Sequence, residues 1–457
     1  MDNQFNHIYF IGIGGISMSA LAEIMIEEGV RVSGSDRNSS HIVKRLEKAG
    51  AKINIGHEAK NINKDIDLVV YTSAIANDNP ELLMAQELNL FIMDRAEFLG
   101  LIMKKYKNAI CVSGTHGKTT TTGMLSSILM ETEINPTIFL GGEMDSMGGN
   151  LKHGSYDLML TEACEYKRNF LKFNPTVELI LNIEEDHLDY YRDLSDIEDA
   201  FLEYAKKLPA AGYLIVNVKN KDLFKGLECS VVTFGPDDSA DYYPKDVRLV
   251  PSLSYTLMHK GEKAADIDLS VFGEHNILNS VAAAAACISL GIGVEQIVKG
   301  LSSFKGTHRR YEFRGTFNGA AVIDDYAHHP SEMKATLKTA RSYTKGKIIT
   351  VFQPHTYTRT IKLLDEFAEA LTHCDQAILL DIYAAREINT GMVHSKDIIS
   401  KMKLLGKDAA YASSFQEAAD IIKSAAAKGD TIITMGAGNV DEIVPILIKS
   451  EELRIKN

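Results

Sequence analysis

The sequence predicts an α/β protein of three domains. Apolar runs of strand length recur along the chain, each followed by a helical pattern. At ~150 residues per domain, 457 residues give about three. Strands are expected at His7–Ile11, Val30–Gly34, Leu68–Tyr71 and Leu90–Met93 in the first block. The second block offers Ala109–Val112, Leu158–Thr161, Leu179–Asn182 and Tyr213–Asn217. From Val231 to Val271 the texture changes to alternation, as in SYTLMH and ADIDLSVF, and reads as antiparallel strands beside the second block. The third block offers Ala320–Ile323, Ile348–Phe352, Ala377–Asp381 and Thr431–Met435. Breaks near Lys104–Lys107 and Phe313–Asn318 set the expected domains at 1–107, 108–314 and 315–457.

Composition narrows the function. With 49 Lys+Arg against 61 Asp+Glu the net charge is -12, which argues against a general nucleic-acid binder and against an anionic membrane surface. The five cysteines, Cys111, Cys164, Cys229, Cys287 and Cys374, are scattered and fit reduced thiols. The start, MDNQFNHIYFIGIGG, lacks the pattern of a secretory leader. The alanine-rich stretch Val281–Val294 is shorter than the ~20 residues needed to span a bilayer and fits a buried helix. A cytoplasmic protein is expected.

The chemistry centres on Ser113-Gly114-Thr115-His116-Gly117-Lys118-Thr119-Thr120. An apolar strand precedes this run. A helix over Thr119–Met130, with Met124, Leu125, Ile128 and Leu129 on one face, follows it. Strand, glycine loop and helix form the context of a phosphate-binding loop. The glycines let backbone N–H groups converge on phosphates, and the helix start adds about half a positive charge. Lys118 can reach the β- and γ-phosphates of ATP, and Thr119 can hold Mg²⁺. The loop is a short form, Gly-x-x-Gly-Lys-Thr, with Val112 where the longer form has a glycine.

Two apolar strands end in acids, one at Glu162 with Glu165 just beyond, the other in Ile183-Glu184-Glu185-Asp186-His187. Ligands of α/β sheets bind at the carboxyl ends of strands, and oxygen ligands with an imidazole there could hold Mg²⁺. Glu162 and His187 are the candidate ligands. A second glycine loop, Gly12-Ile13-Gly14-Gly15, opens a helix after the first strand, and Asp36 ends the next strand. Ser17 stands where the dinucleotide fingerprint has its third glycine, so the loop reads as a general diphosphate site. A diphosphate site and an ATP site in one chain point to a nucleotide-linked substrate.

The segments GIGGISMSALA, SGTHGKTTTT, TEACE, NIEEDHLDYY, GEHNILNSVAA, HRRYE, DDYAHHP, FQPHTYTRT and MGAGN resemble the Mur ligases, which add amino acids to the peptidoglycan precursor. The resemblance spans nearly the whole chain. It implies a Rossmann-like N-terminal domain, a central P-loop ATPase-like domain with a mixed sheet, and a Rossmann-like C-terminal domain. Within the family, GIGG-x-x-MS, FQPH-x-YTRT and the final GAGN point to the member that joins L-alanine to UDP-N-acetylmuramate. A recycling relative that attaches a peptide usually has cysteine where Gly14 stands.

The resemblance also implies residue roles. Gly114, Thr115, His116, Gly117, Lys118, Thr119 and Thr120 hold ATP. Thr119 and Glu162 meet one Mg²⁺, and His187 sits at a second. His275, Asn276 and Asn279 lie near the adenine, Arg310 reaches the γ-phosphate, and Asp325 meets the ribose. Gly12, Gly14, Gly15, Ser17, Met18 and Ser19 hold the UDP diphosphate, with Asp36 and Ser73 nearby. Tyr326, His328, His355 and Arg359 line the amino-acid and sugar-acid pocket. Lys118, Glu162, His187 and Arg310 are the expected catalytic set, and the assembly is expected to be a monomer or weak homodimer.

Some positions depart from the family pattern. Cys164, Tyr166 and Lys167 stand where Asp, Ser and Asp are usual, and Thr356 replaces an arginine, leaving Arg359 for the alanine carboxylate. Leu202 stands near the position of a modified lysine in sister ligases, which suits the alanine-adding member. Two other classes fit part of the chain. An NAD-dependent dehydrogenase uses the first loop and leaves the central one unexplained. A non-catalytic UDP-sugar-binding regulator predicts no phosphate release.

Overall fold

Each block forms its own sheet. The structure, a computed structural model, describes residues 5–72, 75–187, 190–249, 252–385 and 387–456. In the first block β1 (His7–Ile11), β2 (Arg31–Asp36), β3 (Lys52–Ile55), β4 (Leu68–Tyr71) and β5 (Phe91–Asp94) lie in the order β3-β2-β1-β4-β5. All the pairings are parallel. The chain leaves β1 for one neighbour and returns to its other side through β4. Connections therefore diverge at the carboxyl end of β1, the place where such sheets bind ligands. The Gly12–Gly15 loop begins there.

The central sheet holds ten strands in the order β15-β14-β13-β12-β11-β10-β6-β9-β7-β8. They are β6 (Asn108–Ser113), β7 (Thr137–Met144), β8 (Gly149–Lys152), β9 (Leu158–Glu162), β10 (Val177–Ile180), β11 (Tyr213–Asn217), β12 (Ser230–Phe234), β13 (Tyr242–Arg248), β14 (Leu253–His259) and β15 (Glu262–Leu269). The sheet is mixed, since β7 and β8 are antiparallel and β6, β9, β10 and β11 are parallel. One expectation needs correction: β12 runs parallel to β11, and β13 meets β12 in parallel at Phe234 and Tyr242. Alternation reports a sheet face that is half-buried and carries no information on strand direction. Further on, the antiparallel expectation fits the short link between β14 and β15. Lys260 and Gly261, at φ of 50° and 87°, connect β14 to β15, and a two-residue link of this kind joins antiparallel strands.

The third sheet has the order β16-β17-β21-β18-β19-β20, from β16 (Glu312–Phe317), β17 (Ala320–Asp325), β18 (Ile348–Phe352), β19 (Gln376–Leu379), β20 (Ala409–Tyr411) and β21 (Thr431–Met435). Only β16 is antiparallel to its neighbour, through a turn at Asn318-Gly319 with φ of 52° and 75°. A cut between 314 and 315 falls inside β16, whose residues from Glu312 already pair with β17.

The chain divides into two compact units. One comprises Met1–Val247, Ser254–Asp268 and Leu278–Phe304, and the other Arg248–Leu253, Leu269–Ile277 and Lys305–Asn457. The first contains two sheets, the second one. The helix Lys118–Met130 is buried along most of its length, with Met124, Leu125, Ile128 and Leu129 at 0% exposure. The helix Val294–Ser303 presses against it at Gly300, where a Cβ would lie 2.4 Å from the Ile128 Cα. The alanine-rich helix His275–Ser289 is buried from Val281 to Cys287. All five cysteines are free thiols. Among the described residues no helix is long and apolar enough to cross a membrane.

Candidate active site

The central loop is shaped by glycines at its ends and by an asparagine beneath it. Gly114 and Gly117 take φ of 128° and 85°, a region that only glycine enters freely. Gly117 caps the helix Lys118–Met130 without a side-chain bond, so the amides of the first turn are left for a ligand. From the end of β10, Asn182 accepts the His116 N–H at 2.8 Å and donates to the His116 carbonyl at 3.1 Å. The Thr115 N–H meets the Asn182 carbonyl at 3.1 Å. Asn279 stands over Gly117, where a Cβ would come within 2.7 Å of its amide oxygen. Thr120 is half-buried on the first turn of the helix.

Lys118 points back over the loop to the Thr115 carbonyl at 3.2 Å and to both oxygens of Glu165 at 3.1 Å. Burial alone would lower its pKa, but the charges of Glu165 and Glu162 outweigh that, and the ammonium is held above the ordinary lysine value. Thr119 donates to Glu162 at 3.0 Å, and the other Glu162 oxygen accepts the Gly141 N–H at 2.7 Å. The His187 Nε2 lies 3.6 Å from Glu165, and Glu165, Asp186 and His187 offer ligand atoms within 4.8 Å of one another. Two carboxylates and an imidazole beside a hydroxyl–carboxylate pair make a donor set that fits Mg²⁺. The pairs Lys118–Glu165 and Thr119–Glu162 join residues that the sequence separates by more than forty positions.

Glu165 is the residue that sequence reasoning left without a role. It is 2% exposed, and it is the common neighbour of Lys118 and His187. The signal was its place three residues after Glu162 in TEACE. His187 itself adopts a φ of 53° and packs its ring on Tyr166 at 4.7 Å, so Tyr166, which departs from the family pattern, positions the imidazole.

In the first sheet, the Gly12 and Ile13 N–H groups reach back to the Ser35 carbonyl at 2.8 and 3.0 Å. Gly15 starts the helix Ile16–Glu27 with no side-chain cap. Asp36 braces this turn by accepting the Gly14 N–H at 2.9 Å. Ser17 is half-buried, whereas Met18 and Ser19 are buried and Ser19 bonds the Ile16 carbonyl. Ser73 lies outside the described residues.

The second unit gathers the remaining candidates. Arg309 is its internal brace, bonded to Asp324 at 3.1 Å and to the carbonyls of Gly436 and Gly438 at 2.7 and 2.8 Å. Arg309 and Arg310 both lie over the Tyr326 ring, 5.0 and 5.1 Å from its centre. Asp325 accepts from Thr336 at 2.7 Å and from the Ala327 N–H at 3.0 Å, and burial pushes its pKa up to about 6. Tyr326, His328 and His355 form a chain of rings at 5.5 and 6.0 Å, and Arg359 meets the His355 Nδ1 at 3.3 Å. Burial lowers the pKa of His328 below the usual value, which favours the neutral ring. Asn276 is buried and donates to the Phe272 carbonyl at 2.6 Å, and His275 is exposed.

Domain families cover most of the chain. Residues 7–107 match the Mur ligase family catalytic domain, 112–287 the Mur ligase middle domain, and 309–438 the Mur ligase glutamate ligase domain. The chain belongs to the Mur ligase family. This Mur ligase is 48% identical over 99% of its length to the UDP-N-acetylmuramate–L-alanine ligase of Acetivibrio thermocellus, and covers 97% of it. It is equally 48% identical to the ligase of the same name from Lachnospira eligens, over 97% of this chain and 98% of that one. Among solved structures, the UDP-N-acetylmuramate-alanine ligase of Thermotoga maritima matches with a TM-score of 0.84 at 29% identity, covering 98% of this chain and 99% of that one. A murein peptide ligase from Psychrobacter arcticus matches with a TM-score of 0.75 at 26% identity, covering 97% and 98%. In this Mur ligase a Cβ at Gly14 of the first loop would stand 2.9 Å from the side chains of both Asp36 and Val43, so a larger residue there requires those side chains to shift.

Proposed function

We propose that this chain is an ATP-dependent ligase that joins L-alanine to the lactyl carboxylate of UDP-N-acetylmuramate. The observation that carries this is near full-length identity of 48% to relatives bearing that activity as their name. The short phosphate loop, with its lysine and paired acids, supports the ATP half of the reaction. The terminal domains, 1–107 and 315–457, are assigned to the UDP-substrate and to the amino acid with closure on ATP, and 108–314 to ATP itself. A cytoplasmic location goes with these substrates.

Phosphoryl transfer asks a protein mainly for positioning and charge neutralisation. The amides of Gly114–Thr120 and the Lys118 ammonium take the β- and γ-phosphates, and Arg310 takes charge on the γ-phosphate. Mg²⁺, held by Thr119 and Glu162 with His187 at a second ion, would neutralise and align the phosphate oxygens. A lactyl carboxylate oxygen attacks the γ-phosphorus, the bond to ADP breaks, and an acyl phosphate results. The alanine amine then attacks the acyl carbon, loses a proton, and expels inorganic phosphate. Asn276, Asn279, His275 and Asp325 are assigned to the nucleoside. Tyr326, His328, His355 and Arg359 are assigned to the amino-acid and sugar-acid pocket, where the neutral His328 can accept a proton from the amine. The Gly12–Gly15 loop, with Ser17, Met18, Ser19, Asp36 and Ser73, is assigned to the UDP diphosphate. Because Met18 and Ser19 are buried, their contribution comes through the backbone or the packing of the helix.

The route leaves an isotopic mark. With UDP-N-acetylmuramate labelled with ¹⁸O in its lactyl carboxylate, one labelled oxygen should leave in the phosphate. Phosphate free of label would rule out the acyl-phosphate route.

A further inference from the structure

A cavity of about 110 Å³ lies beside Glu162 within the first unit. Its lining includes Ser17 and Leu21 of the helix Ile16–Glu27, the polar residues Arg95, Glu162 and Asn169, and apolar side chains such as Leu99 and Phe173. Arg95 is the cationic residue of this lining and Glu162 the acidic one.

The placement of Arg95 works against its own stability. It is the first residue of the helix Arg95–Met103, where the helix dipole disfavours a cation. Acids are at hand, but they are engaged elsewhere. Asp94 accepts the N–H groups of Ala96 and Glu97 at 2.8 and 3.0 Å and pairs with Lys172. Glu97 caps the Asp94 N–H at 2.9 Å and faces Lys172 at 3.8 Å. Among the described residues the guanidinium has no hydrogen bond or ion pair. A half-buried arginine that lines a cavity with its charge unpaired costs free energy that a bound anion would return. Its planar fork matches a carboxylate, which it can grip through two parallel bonds.

Position identifies the anion. The helix that presents Ser17 and Leu21 to the cavity begins at the glycine loop assigned to the UDP diphosphate. Across the cavity stands Glu162, which bonds Thr119 of the ATP loop. A substrate anchored by its diphosphate at the first loop would direct its acid arm towards the ATP loop through this space. We infer that Arg95 adds to the residues assigned above to the sugar acid, binding the lactyl carboxylate of the acceptor next to the γ-phosphate that it attacks. This rests on the acceptor assignment above and adds the group that selects an acidic sugar over a neutral one.

The test compares two sugar nucleotides by titration on the full chain. UDP-N-acetylmuramate carries the lactyl acid, and UDP-N-acetylglucosamine lacks it. The unaltered protein should prefer the acidic ligand. Arg95→Ala and Arg95→Gln should weaken binding of UDP-N-acetylmuramate about 10- to 100-fold, the range for a charged hydrogen-bonded pair, and leave UDP-N-acetylglucosamine unchanged. Arg95→Lys should recover part of the preference. Variants that keep the full preference overturn the inference. So do variants that lose both ligands equally, because Arg95 would then serve the fold or the diphosphate. If the unaltered protein binds neither sugar nucleotide, the acceptor assignment itself fails. That result is distinct from a preference that survives the loss of Arg95.

Discussion

Lys118 and Glu165 lie 3.1 Å apart with side chains only 18% and 3% exposed, so each is the condition for burying the other. Lys118→Ala should lower kcat by at least about 100-fold, the cost of losing one charge aimed at the transition state, while UDP-N-acetylmuramate still binds. Loss of both activities would mean that the first glycine loop is not the sugar-nucleotide site. Glu165→Gln leaves the lysine buried without its counter-charge, a loss of about 3–5 kcal/mol when such a pair is broken. A lower urea midpoint together with a raised KM for ATP is expected, and an unchanged midpoint would contradict the burial argument. Asp325 makes a separate pH prediction. Its folded pKa of about 6 lies above the ordinary 3.8, so its contribution is fully present below 3.8 and is lost as pH rises through 6. Relative to Asp325→Asn, the protein should lose stability across that window in urea denaturation and change no further above it. Parallel profiles for the two proteins would contradict it.

At the scale of elements, the phosphate loop depends on what surrounds it. Asn182 bonds both backbone groups of His116, and Gly300 lets the helix Val294–Ser303 meet the backbone of the helix that carries Lys118 and Thr119. Gly300→Ala forces a Cβ to within 2.4 Å of the Ile128 Cα, so the helices must separate. Overpacking of this kind costs about 1–3 kcal/mol and should lower Tm, with the KM for ATP rising as the loop shifts. An unchanged Tm would show that the helices yield without cost. The central strands were legible because their apolar runs are continuous and buried, and β1, β4, β11, β18 and β21 match the expected spans residue for residue. Of the strands missed, β3, β8, β16 and β20 lie at sheet edges, where one side faces no strand and polar residues are tolerated, whereas β7 lies inside the central sheet, where its Gly141-Gly142-Glu143 run hid it. The direction of β12 was misjudged because burial alternates in the same way in parallel and antiparallel strands.

At the scale of the molecule, the chemistry-bearing segments could be read because each is local: a glycine loop before a helix, acids at strand ends, an Arg pair before the third sheet. What could not be read was the pairing across sequence. Asp36 braces Gly14, and the two arginines of HRRYE share the Tyr326 ring while Arg309 also bonds Asp324 within the fold. Neither arrangement follows from residue type, since an acid at a strand end and a pair of adjacent arginines do not name their partners. The account depends on one event, phosphate release that requires an acidic sugar nucleotide and an amino acid together. Measured with ATP, UDP-N-acetylmuramate and a panel of amino acids and murein peptides, release should need all three components and be fastest with L-alanine. Release that proceeds equally well without the sugar nucleotide would contradict it.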